Sequence, residues 1–269
     1  LKEGDLVVYE DILPCVRCVF CRTGAWNVCP QARYVGMKPG IFVEYYPYPS
    51  IQLHKAEGIK PQEGALVEPA SVAIHGSRIA QINVGDTVLI YGAGPIGLFR
   101  VQACKLQGAG KIIVSEPSEL RQGVARNLGA DLVVNPEKEN VMERVMEETN
   151  GLGADVVFED VGLPKLQVEA INAARPRGTV VLTGFTTEEA TLNLTRRVTL
   201  KELQVRGSCG YSGWPNRPHD YRVAIDLIRS GRLRTKPVVT HEFQFGQWKK
   251  AFEQSENPRE AIKVRIKIG

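Results

Sequence analysis

From Gly85 onward, short apolar runs alternate with longer stretches in which apolar residues recur every three or four positions. Thr87-Val88-Leu89-Ile90 is compact and bounded by turn residues, as a buried parallel strand should be. A helical pattern in Leu98, Val101, Gln102 and Lys105 follows, then a second apolar run, Ile112-Ile113-Val114. The alternation predicts further helices over 118–128, 141–148 and 163–174, and strands over 131–134, 155–158, 179–182 and 203–206. Gly129 stands where the first of these helices should be capped. Strands alternating with helices of about ten residues predict an α/β fold built on a doubly wound parallel sheet.

On either side the pattern changes. Leu6-Val7-Val8-Tyr9 reads as a strand, and 30–64 is rich in aromatics, Gly and Pro, which predicts short antiparallel strands at 40–46 and 51–54. A helix is predicted over 70–80, and two more over 221–230 and 246–254. The alternation in 262–268 predicts a strand with one buried face. There are no internal repeats. The chain divides into 1–75, 76–214 and 215–269.

Between the first strand and its helix lies Gly92-Ala93-Gly94-Pro95-Ile96-Gly97. In a βαβ unit Gly92 permits the tight turn, Gly94 lets the backbone approach a pyrophosphate, and Gly97 lets helix and strand pack closely. Backbone N–H groups at the helix start then face the phosphates. Glu116 follows at the end of the second strand, nineteen residues after Gly97, where an acid accepts hydrogen bonds from the adenosine ribose. Such a carboxylate favours NAD over NADP, because a 2′-phosphate beside it would be repelled. Arg121 complicates that reading: it could meet a 2′-phosphate, cover the adenine, or be an exposed helix charge. Val161-Gly162, Gly184-Phe185 and Gly207-Ser208 follow predicted strands, on the edge where doubly wound sheets bind ligands. The bland alternative is a structural turn in some other doubly wound fold.

Cys15, Cys18, Cys21 and Cys29 form a Cys-x2-Cys-x2-Cys-x7-Cys pattern. Three closely spaced thiolates and a fourth from a short loop suit one tetrahedral metal, with zinc the default and an iron–sulfur cluster the main competitor. Disulfides are the bland reading, disfavoured without a secretory leader. Four thiolates leave no open position, so such a zinc is structural.

The 269 residues are 43% hydrophobic and 24% charged, with a net charge of +4. That balance is ordinary for a globular chain with one large or two modest domains. Basic residues are interspersed with acids, so no nucleic-acid or membrane surface is expected. No apolar run approaches a membrane span, and a cytoplasmic location is expected. The start at Leu1-Lys2-Glu3-Gly4-Asp5, without Met, reads like the middle of a domain.

Glu68 precedes Pro69 at the start of the predicted 70–80 helix, where a charge-matched helix start explains it. His75 lies two turns along the same face, roughly 10 Å away, too far to share a metal with it. Cys104 and Cys209 are expected to be buried thiols, and His54, His219 and His241 to be isolated structural residues.

The four-cysteine lobe, Leu66-Val67-Glu68-Pro69, Gly92-Ala-Gly-Pro-Ile-Gly97 and Arg206-Gly-Ser together closely resemble the zinc-containing medium-chain dehydrogenases. Within them the chain looks like the sorbitol, threonine and butanediol dehydrogenase branch, from residue 1 to 269. The resemblance implies a Rossmann NAD-binding domain over 76–214. Around it the resemblance implies a β-rich, GroES-like catalytic domain, incomplete here, formed by 1–75 and 215–269, with catalytic zinc and substrate in the cleft between. It implies hydride transfer from a secondary alcohol or polyol to NAD by a homo-oligomer, a dimer or tetramer. Glu68 matches the position at which this branch places a carboxylate near or on the catalytic zinc.

Family members also carry an upstream cysteine ligand, a Gly-His-Glu motif and a proton-relay residue, which this sequence lacks. The ligand set for a catalytic zinc is therefore expected to be incomplete, with about one zinc per chain and weak alcohol oxidation. Two readings compete: an NAD-binding remnant serving as a structural or regulatory subunit, and a zinc-stabilised interaction module on a Rossmann platform.

Overall fold

The structure is a computed structural model and describes residues 1–35, 40–213 and 218–268. The expected boundary between 214 and 215 lies outside the described residues. The chain forms two compact units. One gathers Leu1–His75, Cys209–Glu256 and Lys263–Gly269; the other holds Gly76–Ser208 and Asn257–Ile262.

The first unit opens with β1 (Val7–Tyr9), β2 (Ile12–Leu13), α1 (Val19–Arg22), β3 (Arg33–Tyr34) and β4 (Leu53–Lys55). β1 pairs antiparallel with β4, setting Val8 opposite His54, and β2 pairs antiparallel with β3. A short α2 (Pro61–Gly64) precedes α3 (Val67–Ala80), which carries Glu68 in its first turn.

The predicted strand at 40–46 does not form. Pro47 and Pro49 offer no N–H to a ladder, Tyr45 is exposed, and the segment pairs with no strand among the described residues.

The second unit contains β5 (Thr87–Tyr91), α4 (Pro95–Gln107), β6 (Lys111–Ser115), α5 (Glu119–Leu128), β7 (Leu132–Val134) and α6 (Val141–Glu148). These are followed by β8 (Ala154–Glu159), α7 (Pro164–Ala173), β9 (Ala174–Leu182) and β10 (Gln204–Gly207). The strands form one six-stranded sheet in the order β10-β9-β8-β5-β6-β7, with every pair parallel. Ile90 of β5 lies between Val114 and Phe158 in register. Leu89, Ile113, Val157 and Val180 are fully buried in one core cluster, each burial worth about 1.5–3 kcal/mol.

Local chemistry sets the helix ends. Pro95 opens α4, and Gly108 closes it at φ 98°. Ser118 caps α5 by accepting from the Arg121 amide, and Asn140 caps α6 in the same way from Met142 and Glu143.

After β10 the chain returns to the first unit as α8 (Asp220–Arg229), β11 (Val239–Gln244), α9 (Trp248–Ser255) and β12 (Lys263–Lys267). β11 and β12 pair in parallel. The alternation expected in the last strand is not seen, since Lys263, Val264, Arg265 and Ile266 are all half-buried.

Candidate dinucleotide site and metal centres

The glycine turn leaves β5 through Gly92, whose φ of 95° is open to glycine but strained for other residues. A Cβ on Gly97 would stand 2.1 Å from the carbonyl oxygen of Gly92, so α4 packs on the strand only because Gly97 has no side chain. Around Gly94 nothing lies within 4 Å of where a Cβ would be, so this side of the turn is open. Pro95 and Ile96 follow at the start of α4 and are half-buried. This arrangement fits a pyrophosphate, which can approach the Gly94 backbone from outside, where the N-terminal amides of α4 would face it.

Glu116 is only 4% exposed. One carboxylate oxygen accepts the Ala93 amide at 2.7 Å, and the other accepts the Ser118 amide at 2.9 Å. The acid that would meet the ribose thus also clamps the glycine turn. Arg121 donates from Nη2 to the carbonyl of Ala261 at 2.9 Å, which occupies one arm of its guanidinium.

The remaining sequence candidates also lie at the carboxyl ends of the strands. Glu159 at the end of β8 accepts from the amides of Val161 (2.9 Å) and Gly162 (2.7 Å), and its other oxygen is buried without a partner. Burial pushes its carboxyl up from the ordinary value against those hydrogen bonds. Gly184 lies against Gly162, and Phe185 beside it is 88% exposed. Gly207 ends β10, and the Ser208 amide donates to Leu182 while its buried hydroxyl has no partner. Buried polar atoms left without partners at this edge fit a polar ligand.

In the first unit α1 and the loops around it bring Cys15, Cys18, Cys21 and Cys29 together, with all four sulfurs within 4.8 Å of one another. Cys18 lies 3.4 Å from Cys21 and 3.9 Å from Cys29, and Cys15 lies 3.8 Å from Cys21. A zinc with Zn–S of about 2.3 Å sets a tetrahedron of about 3.8 Å edge, so the four fit it. All four are unpaired thiols. Amides of Arg17 and Cys18 aimed at Cys15 hold its thiol down to about 6, which favours the thiolate a metal needs.

Glu68 faces a cavity of about 770 Å³ within this unit, shared with Tyr9, Asp11, Tyr221 and Lys263 among apolar neighbours. Burial, reinforced by the charge of Asp11, pushes its carboxyl up to about 7, while Lys263 opposes the shift. Among the described residues Glu68 belongs to no group of three or more His, Cys, Asp or Glu side chains close enough together to hold a metal. The described residues therefore do not fit a catalytic zinc. His75 is bonded to Asp220 at 2.9 Å instead.

Two expectations about single residues are corrected. Cys209 is exposed, because its loop keeps it at the surface, while Cys104 is buried. His54 and His219 are not isolated: together with Glu10 they form a cluster within 4.8 Å. His54 Nε2 lies 2.6 Å from Glu10, and His219 Nε2 lies 3.4 Å from the same oxygen. His219 Nδ1 accepts the Tyr221 amide, so the neutral ring carries its proton on Nε2 and presents no lone pair there. Burial, and then the charge of His54, depress His219 to about 4. These residues are far apart in the sequence, and no spacing announced them.

The alcohol dehydrogenase GroES-like domain family matches residues 1–58, and the zinc-binding dehydrogenase family matches residues 95–230. The L-threonine 3-dehydrogenase of Pyrococcus horikoshii is 34% identical over 94% of this chain and 72% of its own length. An oxidoreductase/dehydrogenase of unknown specificity from Escherichia coli is 34% identical, with a TM-score of 0.92 over 100% of this chain and 77% of its own. An alcohol dehydrogenase from Escherichia coli in complex with NADH is 28% identical, with a TM-score of 0.87 over 97% of this chain and 76% of its own. Other relatives of similar identity are a probable D-xylulose reductase A of Aspergillus clavatus and an L-idonate 5-dehydrogenase of Vitis vinifera. With the glycine turn, the four-thiolate lobe and these matches in agreement, this chain belongs to the zinc-containing medium-chain alcohol dehydrogenases, oxidoreductases that use NAD and zinc.

Proposed function

We infer that the protein transfers a hydride between a secondary alcohol or polyol and NAD, with the dinucleotide held on the second unit. The observation that carries this reading is the glycine turn clamped by Glu116, open at Gly94 and closed at Gly97. NAD supplies the chemistry by accepting the hydride at its nicotinamide ring. The chain's residues bind and orient it. Amides at the start of α4 meet the pyrophosphate, and Glu116 accepts from the ribose hydroxyls and disfavours a 2′-phosphate. Val161, Gly184, Phe185, Gly207 and Ser208 border the rest of the dinucleotide.

Cys15, Cys18, Cys21 and Cys29 hold a structural zinc that ties α1 to the loop ending at Cys29. Glu68, lining the cavity of the first unit with a carboxyl pushed up to about 7, acts toward a substrate hydroxyl in this reading. The competing reading, an NAD-binding subunit without turnover, draws on the missing companions of Glu68. We expect a homo-oligomer.

Calorimetric titration with NADH, metal analysis and an alcohol-dependent NADH assay over a panel of polyols and secondary alcohols test this reading together. NADH binding with about one zinc per chain is expected. Absence of NADH binding would overturn the reading, and binding without turnover on any alcohol would favour the subunit.

A further inference from the structure

Arg100 of α4 is the largest fully buried side chain among the described residues. Its guanidinium grips Asp160 at two points, Nε to Oδ2 at 3.1 Å and Nη2 to Oδ1 at 2.8 Å. Nη2 also donates to the hydroxyl of Thr183 at 3.0 Å, and the head lies 4.5 Å from the centre of the Phe158 ring. Room for it is made inside α3, where a Cβ on Gly76 would stand 2.2 Å from Nη1. A buried charge pair is a weak source of stability, since well-packed apolar residues often serve as well or better. The partners' positions point to a different use.

Asp160 is the first residue after β8, and its amide donates to the carbonyl of Tyr91, the last residue before the glycine turn. Thr183 is the first residue after β9, and its amide donates to Glu159. Val161-Gly162 and Gly184-Phe185 follow directly in the two loops. One guanidinium on the helix that starts at the dinucleotide turn therefore fixes the roots of both neighbouring loops.

Resting on the reading that this unit binds NAD, we propose that Arg100 is a positioning residue for the cofactor. Through Asp160 and Thr183 it sets the spacing of the Val161-Gly162 and Gly184-Phe185 loops relative to the glycine turn, and Gly76 exists to admit it. The guanidinium suits the task because its planar fork can hold a carboxylate and a hydroxyl at once, which an ammonium cannot do in the same geometry.

The test is NADH titration of the 269-residue chain, with the folded state of each variant verified by circular dichroism at the titration temperature. Thr183→Val removes one bond of the grip, and Gly76→Ala displaces the head without deleting it. Each should weaken NADH about tenfold, Arg100→Met at least as much, and Arg100→Lys less than Arg100→Met. Val145→Ala, which trims the core cluster at α6 and leaves the grip, should lower Tm and leave NADH affinity unchanged. If Thr183→Val and Gly76→Ala fold and bind NADH within twofold of the parent chain, Arg100 is structural only and the proposal fails. If Arg100→Met does not fold, those two variants decide. A parent chain that binds no NADH would remove the dinucleotide reading itself, a different outcome from a tight parent with indifferent variants.

Discussion

Gly97 packs so tightly on Gly92 that a Cβ would come within 2.1 Å of a backbone oxygen, whereas Gly94, three residues earlier, faces open space. Two glycines of one turn are thus required for different reasons. Gly97→Ala should destabilise the chain by about 1–3 kcal/mol, as overpacking does, and weaken NADH as well. Gly94→Ala should keep the parent urea midpoint and lose NADH affinity alone. Equal urea midpoints for the two variants would contradict this division.

Glu116 has two tasks, and its replacement should show both. Glu116→Gly leaves the Ala93 amide without its acceptor, a loss of about 1–3 kcal/mol for a buried donor. It should also narrow the preference for NAD over NADP. Calorimetry with both cofactors measures the second effect, and equal affinity of the parent chain for NAD and NADP would refute the ribose role.

For the cysteine lobe, replacement of Cys29 by Ser should bring zinc well below one per chain, because three thiolates no longer close the tetrahedron. The sheet of the second unit should remain folded, with NADH binding kept. Metal analysis of protein purified without chelator checks the first statement, and NADH titration checks the second. A parent chain that holds no zinc would end the structural-zinc reading.

His219 should make the chain acid-sensitive. Its folded value is depressed to about 4 from 6.5, so between those pH values the unfolded chain takes up a proton that the folded chain refuses. Stability from this group is therefore present above pH 6.5 and lost as the pH falls toward 4, by on the order of 3 kcal/mol. Urea midpoints at pH 7 and pH 5 should converge in His219→Gln relative to the parent. An unchanged difference between the two pH values would show that other groups carry the acid limb.

The second unit was readable from its sequence because its determinants are local. Apolar runs mark β5, β6 and β8, Pro95 and Gly108 mark the ends of α4, and α6 spans the residues its periodicity indicates. The first unit is less legible. β11 carries Thr240, His241 and Glu242, a polar composition that hides a strand held by pairing with β12. At 40–46 the aromatic composition of a strand is present, but no pairing partner is found among the described residues. Nothing in the spacing of α4 singles out Arg100, and only the fold sets it against Asp160, sixty residues away. The Glu10, His54 and His219 cluster was hidden for the same reason, since its members approach only once β1 meets β4 and α8 returns.

The division of the chain sets an order of events during its synthesis. The six-stranded sheet is encoded by one uninterrupted stretch, Gly76–Ser208, so it can assemble as soon as that stretch has left the ribosome. The other unit is sewn from both sides of it, because β11 and β12 are translated after the sheet is complete and the cysteine lobe long before. Until Lys267 emerges, the residues around β1 and β4 wait without their closing partners. That interval is when a metal already bound by the thiolates would matter most, as a local knot holding the early half in shape while the late half is still being made.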